Sequence, residues 1–170
     1  MKIAIHGPMC SGKTTIANMI IRNDTRFKRF SFGQKVKDIA VELFGMEKKD
    51  RSLLINVANK MKDIDPDVWA KYVLDQLKNE EYVVIDDLRF ENEIKYLQGW
   101  KIISLITPRD ERIRRIQRLY PENYNDHMKN MSDYSEERIK NLPSDTLYLD
   151  TSLPMNVIEH EIKLFLMKNT

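Results

Sequence analysis

Eight consecutive residues, Gly7-Pro8-Met9-Cys10-Ser11-Gly12-Lys13-Thr14, match G-x-x-x-x-G-K-S/T between a β-prone run and a helical one. In that setting the pattern makes a phosphate-binding loop, because the glycines let the backbone curl until several N–H groups face one anion. Gly7, Ser11, Gly12, Lys13, Thr14 and Thr15 are therefore expected to cradle the phosphates of a nucleoside triphosphate, taken to be ATP. Lys13 would reach the β- and γ-phosphates, and the Thr14 hydroxyl would ligate Mg2+. Cys10 occupies a variable position of the loop and is read as a loop residue, not a nucleophile.

The second constellation is Val83-Val84-Ile85-Asp86-Asp87-Leu88-Arg89-Phe90-Glu91-Asn92-Glu93. Acids at the end of a buried strand beside a phosphate loop hold Mg2+ or its waters, which makes Asp86 the metal candidate with Thr14. Arg89 follows where the chain leaves the sheet, in the crevice at the carboxyl ends of the strands. Its plainer reading is a solvated pair with Glu93 at a helix start. A third group is the basic run Arg109, Arg112, Arg114, Arg115 and Arg118. Positions 112, 115 and 118 share a helical face, so Arg112 and Arg115, with Arg118 beside them, are expected on the phosphates, and Arg115 is the strongest single candidate. His127 lies in the loop that follows, His6 and His160 read as structural, and nothing has the spacing of a zinc site.

These residues need elements to carry them. Lys2–His6 reads as a buried strand and Thr14–Ile21 as the helix after the loop. Arg29–Phe32 is a short second strand, and Val36–Phe44 is a helix ending at Gly45. Leu53–Met61 and Val68–Leu77 follow as amphipathic helices, the second opened by Asp65-Pro66-Asp67. Then come a strand at Tyr82–Ile85, a short helix at Glu91–Leu97, a strand at Lys101–Ile106 and a basic helix at Asp110–Leu119. Pro121–Asp133 has no apolar period and is expected to be a mobile loop. Thr146–Leu149 is the last strand, and Met155–Met167 the closing helix with Ser152 as its candidate cap. Strands alternating with helices imply a parallel sheet covered on both faces.

Composition narrows the function classes. A net charge of +2 gives no argument for a nucleic-acid or membrane partner. One cysteine excludes an internal disulfide framework and fits a reducing compartment. The apolar runs are far shorter than the roughly 20 residues a bilayer span needs. Met1-Lys2 leads straight into a strand, so no signal peptide is expected. The expected location is cytoplasmic, the host cytoplasm if the chain is viral. No T-K-x-D or N-K-x-D base-reading motif of a GTPase is present, and 170 residues leave no room for motor or helicase modules.

With these motifs in order, the chain resembles the deoxynucleoside monophosphate kinases of large DNA viruses and phages, a branch of the P-loop nucleoside monophosphate kinases. The matching pieces are the phosphate loop, Phe32-x-x-x-x-Lys37, Arg51, Asp65-Pro66-Asp67-Val68-Trp69, and Asp87-x-Arg89-Phe90-x-Asn92-Glu93. They cover roughly the first two thirds of the chain; the last third matches only in its succession of strand, basic helix, loop, strand and helix. The resemblance implies transfer of the ATP γ-phosphate to the 5′-phosphate of a deoxynucleotide. It implies that Asp87, Arg89 and Glu93 contact the acceptor, with Arg89 on its phosphate. Trp69 would line the base or sugar pocket, and Lys37 and Arg51 would add positive charge. A kinase joining two anions needs cations on both sides, which agrees with the residues. The chain departs from the family where a Gln-x-x-Gly step reads Ile55-Asn56-Val57-Ala58 and a following arginine reads Lys62. Base specificity is put in doubt there, and Asn56 or Asn59 becomes the substitute base contact.

The expectation is an α/β three-layer P-loop kinase with a five-stranded parallel sheet in the order 2-3-1-4-5 and a short lid. One domain would span residues 1–170, with acceptor-binding helices at about 33–79 and the lid at about 109–134. Its cofactors would be ATP and Mg2+, and its partner a small-molecule substrate, the deoxynucleoside monophosphate. No nucleic acid or membrane is expected, and a homodimer is left open. The rivals are a kinase of another small phosphorylated acceptor, dephospho-coenzyme A or phosphomevalonate, and a P-loop protein that only binds nucleotide.

Overall fold

A computed structural model describes residues 1–132 and 139–169. In chain order it runs β1 (Lys2–His6), α1 (Lys13–Asn23), β2 (Lys28–Phe30), α2 (Gln34–Phe44), α3 (Arg51–Ile64), α4 (Val68–Gln76) and β3 (Val83–Leu88). Then follow α5 (Glu91–Ile94), β4 (Lys101–Ile106), α6 (Arg109–Leu119), α7 (Tyr124–Lys129), a 3-10 turn (Asn130–Ser132), β5 (Leu147–Asp150) and α8 (Met155–Asn169). The strands pair in parallel in the order β2-β3-β1-β4-β5, as expected.

The sheet is covered on both faces because its side chains alternate. Ala4, Val83 and Ile85 point into a core built with α2, α3 and α4, from Val36, Leu54, Val57 and Val73. Ile3, Ile5 and Val84 point the other way, onto Ile16 and Ile20 of α1 and Ile158 and Ile162 of α8. This is the period-2 alternation of a strand read by two helical layers. A smaller cluster of Met9, Ile116 and Met131 fastens α6 and the 3-10 turn to the phosphate loop.

One irregularity aims the site. β1 and β3 run in register from Lys2↔Val83 to Ala4↔Ile85, but the next partner of His6 is Leu88, so β3 carries an extra residue there. A bulge of this kind re-aims the side chains that it carries. Asp86 and Asp87 occupy it. His6 is buried beside the step and its Nδ1–H donates to the Leu88 carbonyl at 3.1 Å, a structural role as expected.

Two expectations fail. Residues 121–132 are not a loop: α7 and the 3-10 turn occupy most of them. Position 133 of the expected loop, and 133–134 of the expected lid, lie outside the described residues. Ser152 does not cap α8; its hydroxyl donates to Asp150 Oδ1 at 2.7 Å, and the helix begins directly after Pro154.

Candidate active site

The phosphate loop closes between β1 and α1 at two glycines for two reasons. Gly12 has φ +98°, the left-handed region that favours glycine, and it sits at the N-cap with no side chain capping α1. A Cβ on Gly7 would stand 2.7 Å from Ser11 Oγ and 3.0 Å from Leu105 Cβ, so a side chain there displaces the loop. The result is a helix N-terminus presented to an anion. Lys13 Nζ donates to the carbonyls of Gly7 at 2.5 Å and Pro8 at 2.8 Å, so its ammonium lies over the loop.

Across the bulge, Thr14 Oγ1 donates to Asp86 Oδ2 at 2.9 Å, and the Arg29 guanidinium lies 3.9 Å from that same oxygen. Burial pushes the Asp86 carboxyl above the ordinary range, and the neighbouring Asp87 carboxylate adds to it; the Thr14 hydroxyl opposes. A hydroxyl and a carboxylate meeting beside a phosphate loop are hard oxygen donors of the kind that suit Mg2+. These two side chains are thus a fit for the ion that such loops hold. Among the described residues no group of three His, Cys, Asp or Glu forms a metal cluster, so phosphate oxygens and water would complete the shell.

Asp87 turns the other way. Its Oδ1 accepts from Phe32 N–H at 2.8 Å, and its Oδ2 accepts from Gly33 N–H at 2.8 Å and the Ser31 hydroxyl at 2.6 Å. Both oxygens thus hold the turn that opens α2, although Asp87 also lines the cleft. Glu93 is buried at 4% exposure and accepts from the backbone N–H groups of Arg89 at 2.8 Å and Phe90 at 3.0 Å. Burial raises its carboxyl to about 7, outweighing those two donors. Glu93 therefore shapes the turn that presents Arg89.

One cleft of about 550 Å³ joins these parts, a size ordinary for small-molecule sites. Ser11, Gly12, Lys13, Thr14, Thr15 and Asp86 line it from the phosphate loop and β3. Lys37, Arg51, Lys62 and Arg89 bring cations from α2, α3 and the turn after β3, and Phe32, Trp69 and Phe90 bring aromatic rings. Arg51 is buried at 6% exposure, while Lys37 is exposed on α2. Lys62 holds its ammonium 3.1 Å above the Phe90 ring. Asn59 lines the cleft and Asn56 does not.

Three expected residues take altered places. Trp69 is core first: it is 6% exposed and its Nε1–H donates to the Ala58 carbonyl at 3.2 Å, leaving one edge to the cleft. Arg112 does not line the cleft, and its Nε and Nη1 are buried; Arg118 lines it instead. Gly7 does not line the cleft; it leaves room for Ser11 and Leu105 and offers its carbonyl to Lys13. Arg115 does line the cleft, and it is anchored. It donates to Cys10 O at 3.3 Å and Thr151 O at 2.6 Å, with Glu111 Oε1 at 3.0 Å on its Nε.

Sequence reasoning missed what joins the two remote motifs. Asp67 at the start of α4 accepts from Asn92 Nδ2 at 2.7 Å and Tyr96 OH at 2.9 Å, and it pairs with Lys95. Asn92 also donates to the Pro66 carbonyl at 3.1 Å. The Asp65–Trp69 and Asp87–Glu93 segments are therefore one structural unit. The signal available was an Asp and an Asn with no role in either motif read alone.

The sequence model of the AAA domain matches residues 3–140, well over half of the chain. No curated protein matches the chain in sequence. In structure it is similar to a gluconokinase from Sinorhizobium meliloti 1021, with 16% identity, TM-score 0.63, and coverage of 98% of this chain and 91% of that one. It is also similar to a sugar kinase from Janibacter sp. HTCC2649, with 13% identity, TM-score 0.62, and coverage of 97% and 93%. At such identities the likeness speaks to the fold and not to the substrate.

Proposed function

We propose, from the premise that this chain belongs to the AAA domain family, that it is an ATP- and Mg2+-dependent kinase of deoxynucleoside 5′-monophosphates. The observation that carries the reading is that one cleft holds two sets of cation-bearing residues. Lys13 stands on the phosphate loop with Thr14, facing Asp86 of β3; Lys37, Arg51, Lys62 and Arg89 line the same space from other elements. A protein that only bound nucleotide would have no use for the second set, whereas transfer between two phosphates needs both anions neutralised.

Each group then has a stated role. Lys13 and the loop amides hold the β- and γ-phosphates, and Thr14 with Asp86 would hold Mg2+, which neutralises charge developing on the phosphates when bound. Arg89 and Arg51 bind the acceptor phosphate, Lys37 adds charge, and Arg115 stabilises the transferring group from the donor side. Asp87 and Glu93 fix the turns that carry the acceptor contacts. The rings of Trp69 and Phe90 favour a flat heteroaromatic acceptor over a sugar acid. The catalytic set is therefore Lys13, Arg89 and Arg115, with Asp87 acting through the α2 turn.

A coupled assay of ADP release tests the reading. The acceptors are the four deoxynucleoside monophosphates, their ribose counterparts, gluconate, dephospho-coenzyme A and phosphomevalonate. Turnover of deoxynucleotides above all others is the expected result. Turnover of a non-nucleotide, with none of any nucleotide, would remove the acceptor assignment and leave the phosphate loop standing.

A further inference from the structure

We infer that α7 is a clasp that positions Arg51 for the acceptor, and that Asp126 is its positioning residue. The inference rests on the reading of Arg51 as an acceptor cation. Asp126 Oδ2 accepts from the Arg51 backbone N–H at 2.7 Å, and Oδ1 accepts from the Ser52 hydroxyl at 2.7 Å. Asn123 Nδ2 donates to the Lys49 carbonyl at 2.6 Å, and Asn130 Nδ2 donates to Ser52 Oγ at 3.1 Å. Asn130 also braces Asp126, donating to its carbonyl at 2.8 Å and its Oδ1 at 3.2 Å. Positions 123, 126 and 130 lie on one helical face, so α7 presents a polar stripe to the start of α3.

The first N–H groups of a helix have no partner within it. In α3, Asp50 takes the N–H of Leu53 at 2.8 Å, and Asp126, from another helix, takes that of Arg51. The two carboxylates together set the first turn, and the Arg51 side chain leaves that turn to line the cleft. Burial opposes the charge on Asp126, but the Ser52 hydroxyl and the Arg51 N–H outweigh it and hold the carboxyl below its ordinary range. The clasp is seated from below. His127 is fully buried, its Nδ1–H donates to Asn123 O at 2.9 Å, and its ring stacks on Tyr120 with centroids 4.3 Å apart. One helix earlier, Arg115 grips the phosphate loop. The stretch from α6 to α7 thus ties the donor side to the acceptor side.

The test uses the full chain with Asp126→Ala, Asp126→Asn, Arg51→Ala and the Arg51→Ala/Asp126→Ala pair. Asp126→Ala should raise the acceptor KM roughly tenfold, the scale of one lost charge-assisted hydrogen bond, with kcat and the ATP Kd near wild type. Asp126→Asn keeps an accepting oxygen and should fall between. In the Arg51→Ala background Asp126→Ala should change the KM no further, because it acts through Arg51. Hydrogen–deuterium exchange should quicken at residues 51–54 in Asp126→Ala and stay unchanged in the phosphate loop. Additive KM losses, or a fall in kcat at constant KM, would overturn the positioning role. If the wild type phosphorylates no nucleotide, the acceptor reading fails by itself. Exchange then decides the clasp: quickened exchange at Arg51 upholds it and unchanged exchange overturns it.

Discussion

Thr14 and Asp86, 72 positions apart in the chain, meet through a 2.9 Å hydrogen bond at the point where β3 bulges against β1. The bulge is what lets two adjacent acids serve different neighbours, with Asp86 toward the phosphate loop and Asp87 toward the start of α2. The pairing also gives an expected outcome. Asp86→Asn should raise the Mg2+ concentration needed for half-maximal turnover by about tenfold or more, the scale of losing a metal-supporting group. Without metal the variant should melt no lower than the wild type, because it removes a buried carboxylate whose pKa burial and Asp87 have raised. A Mg2+ titration beside a thermal melt checks both; an unchanged Mg2+ requirement would take Asp86 out of the metal site.

Lys13→Ala should lower kcat/KM at least about a hundredfold, as for one lost preorganised charge contact. Its ammonium lies over the phosphate loop, on the carbonyls of Gly7 and Pro8, and not in the apolar core, so the fold should persist. Circular dichroism with steady-state kinetics checks this. A folded variant with full activity would remove the loop from the chemistry.

Arg89→Ala should raise the acceptor KM by about tenfold or more while leaving the ATP Kd within about twofold, since paired charge contacts are the strong ones. The side chain lines the cleft, and its backbone N–H, which the substitution keeps, anchors to Glu93 at 2.8 Å. Calorimetry of ATP binding with acceptor kinetics separates the cases. A collapse of ATP binding at constant acceptor KM would move Arg89 to the donor side.

The strand order and the phosphate loop were legible because each depends on local pattern: alternating elements for one, eight contiguous residues for the other. The α7 helix was not. It is six residues long, it buries His127 and half-buries Met128, and its other face is the polar stripe that holds α3. An apolar period has no room to show itself in so short a helix. The hold of Asp87 on the α2 turn was hidden for a related reason. An acid beside a catalytic strand reads as a ligand for substrate, and only the fold reveals that Phe32 and Gly33 offer their N–H groups to it. Arg112 shared a helical face with Arg115 in the sequence, yet only the latter reaches the cleft, since facing is decided by how α6 packs through Ile116.

Glu93 should make stability depend on pH. Burial raises its pKa from 4.5 to about 7. The folded carboxyl therefore holds its proton more tightly than the unfolded one, and the stability this contributes is full below about pH 4.5. It is lost as pH rises through about 7. At 1.36 kcal/mol per pKa unit the swing is about 3 kcal/mol at most. Glu93→Gln should flatten that slope in urea melts run from about pH 4 to about pH 8. A slope as steep as wild type would mean that another group carries it.

Trp69 bears on the choice between deoxyribose and ribose. A deoxy-selective site rejects the 2′-hydroxyl by filling its place with an apolar surface, and exclusion by shape discriminates on the order of a hundredfold or less. Deoxynucleotides should therefore be phosphorylated about ten- to a hundredfold better than ribonucleotides. Trp69→Ala is a poor probe, because the ring is 6% exposed in the core under α3 and α4, and its loss would cost about 3–5 kcal/mol of stability. Trp69→Phe keeps an aromatic ring and gives up the Nε1–H bond to the Ala58 carbonyl, a loss of about 1 kcal/mol. It also withdraws the edge of the indole from the cleft wall. The ratio of kcat/KM for deoxy over ribo substrates should narrow in that variant, with the ATP Kd unchanged. A ratio that stays at the wild-type value in a folded Trp69→Phe protein would assign the discrimination to another wall of the cleft, where Phe90 and Lys62 stack.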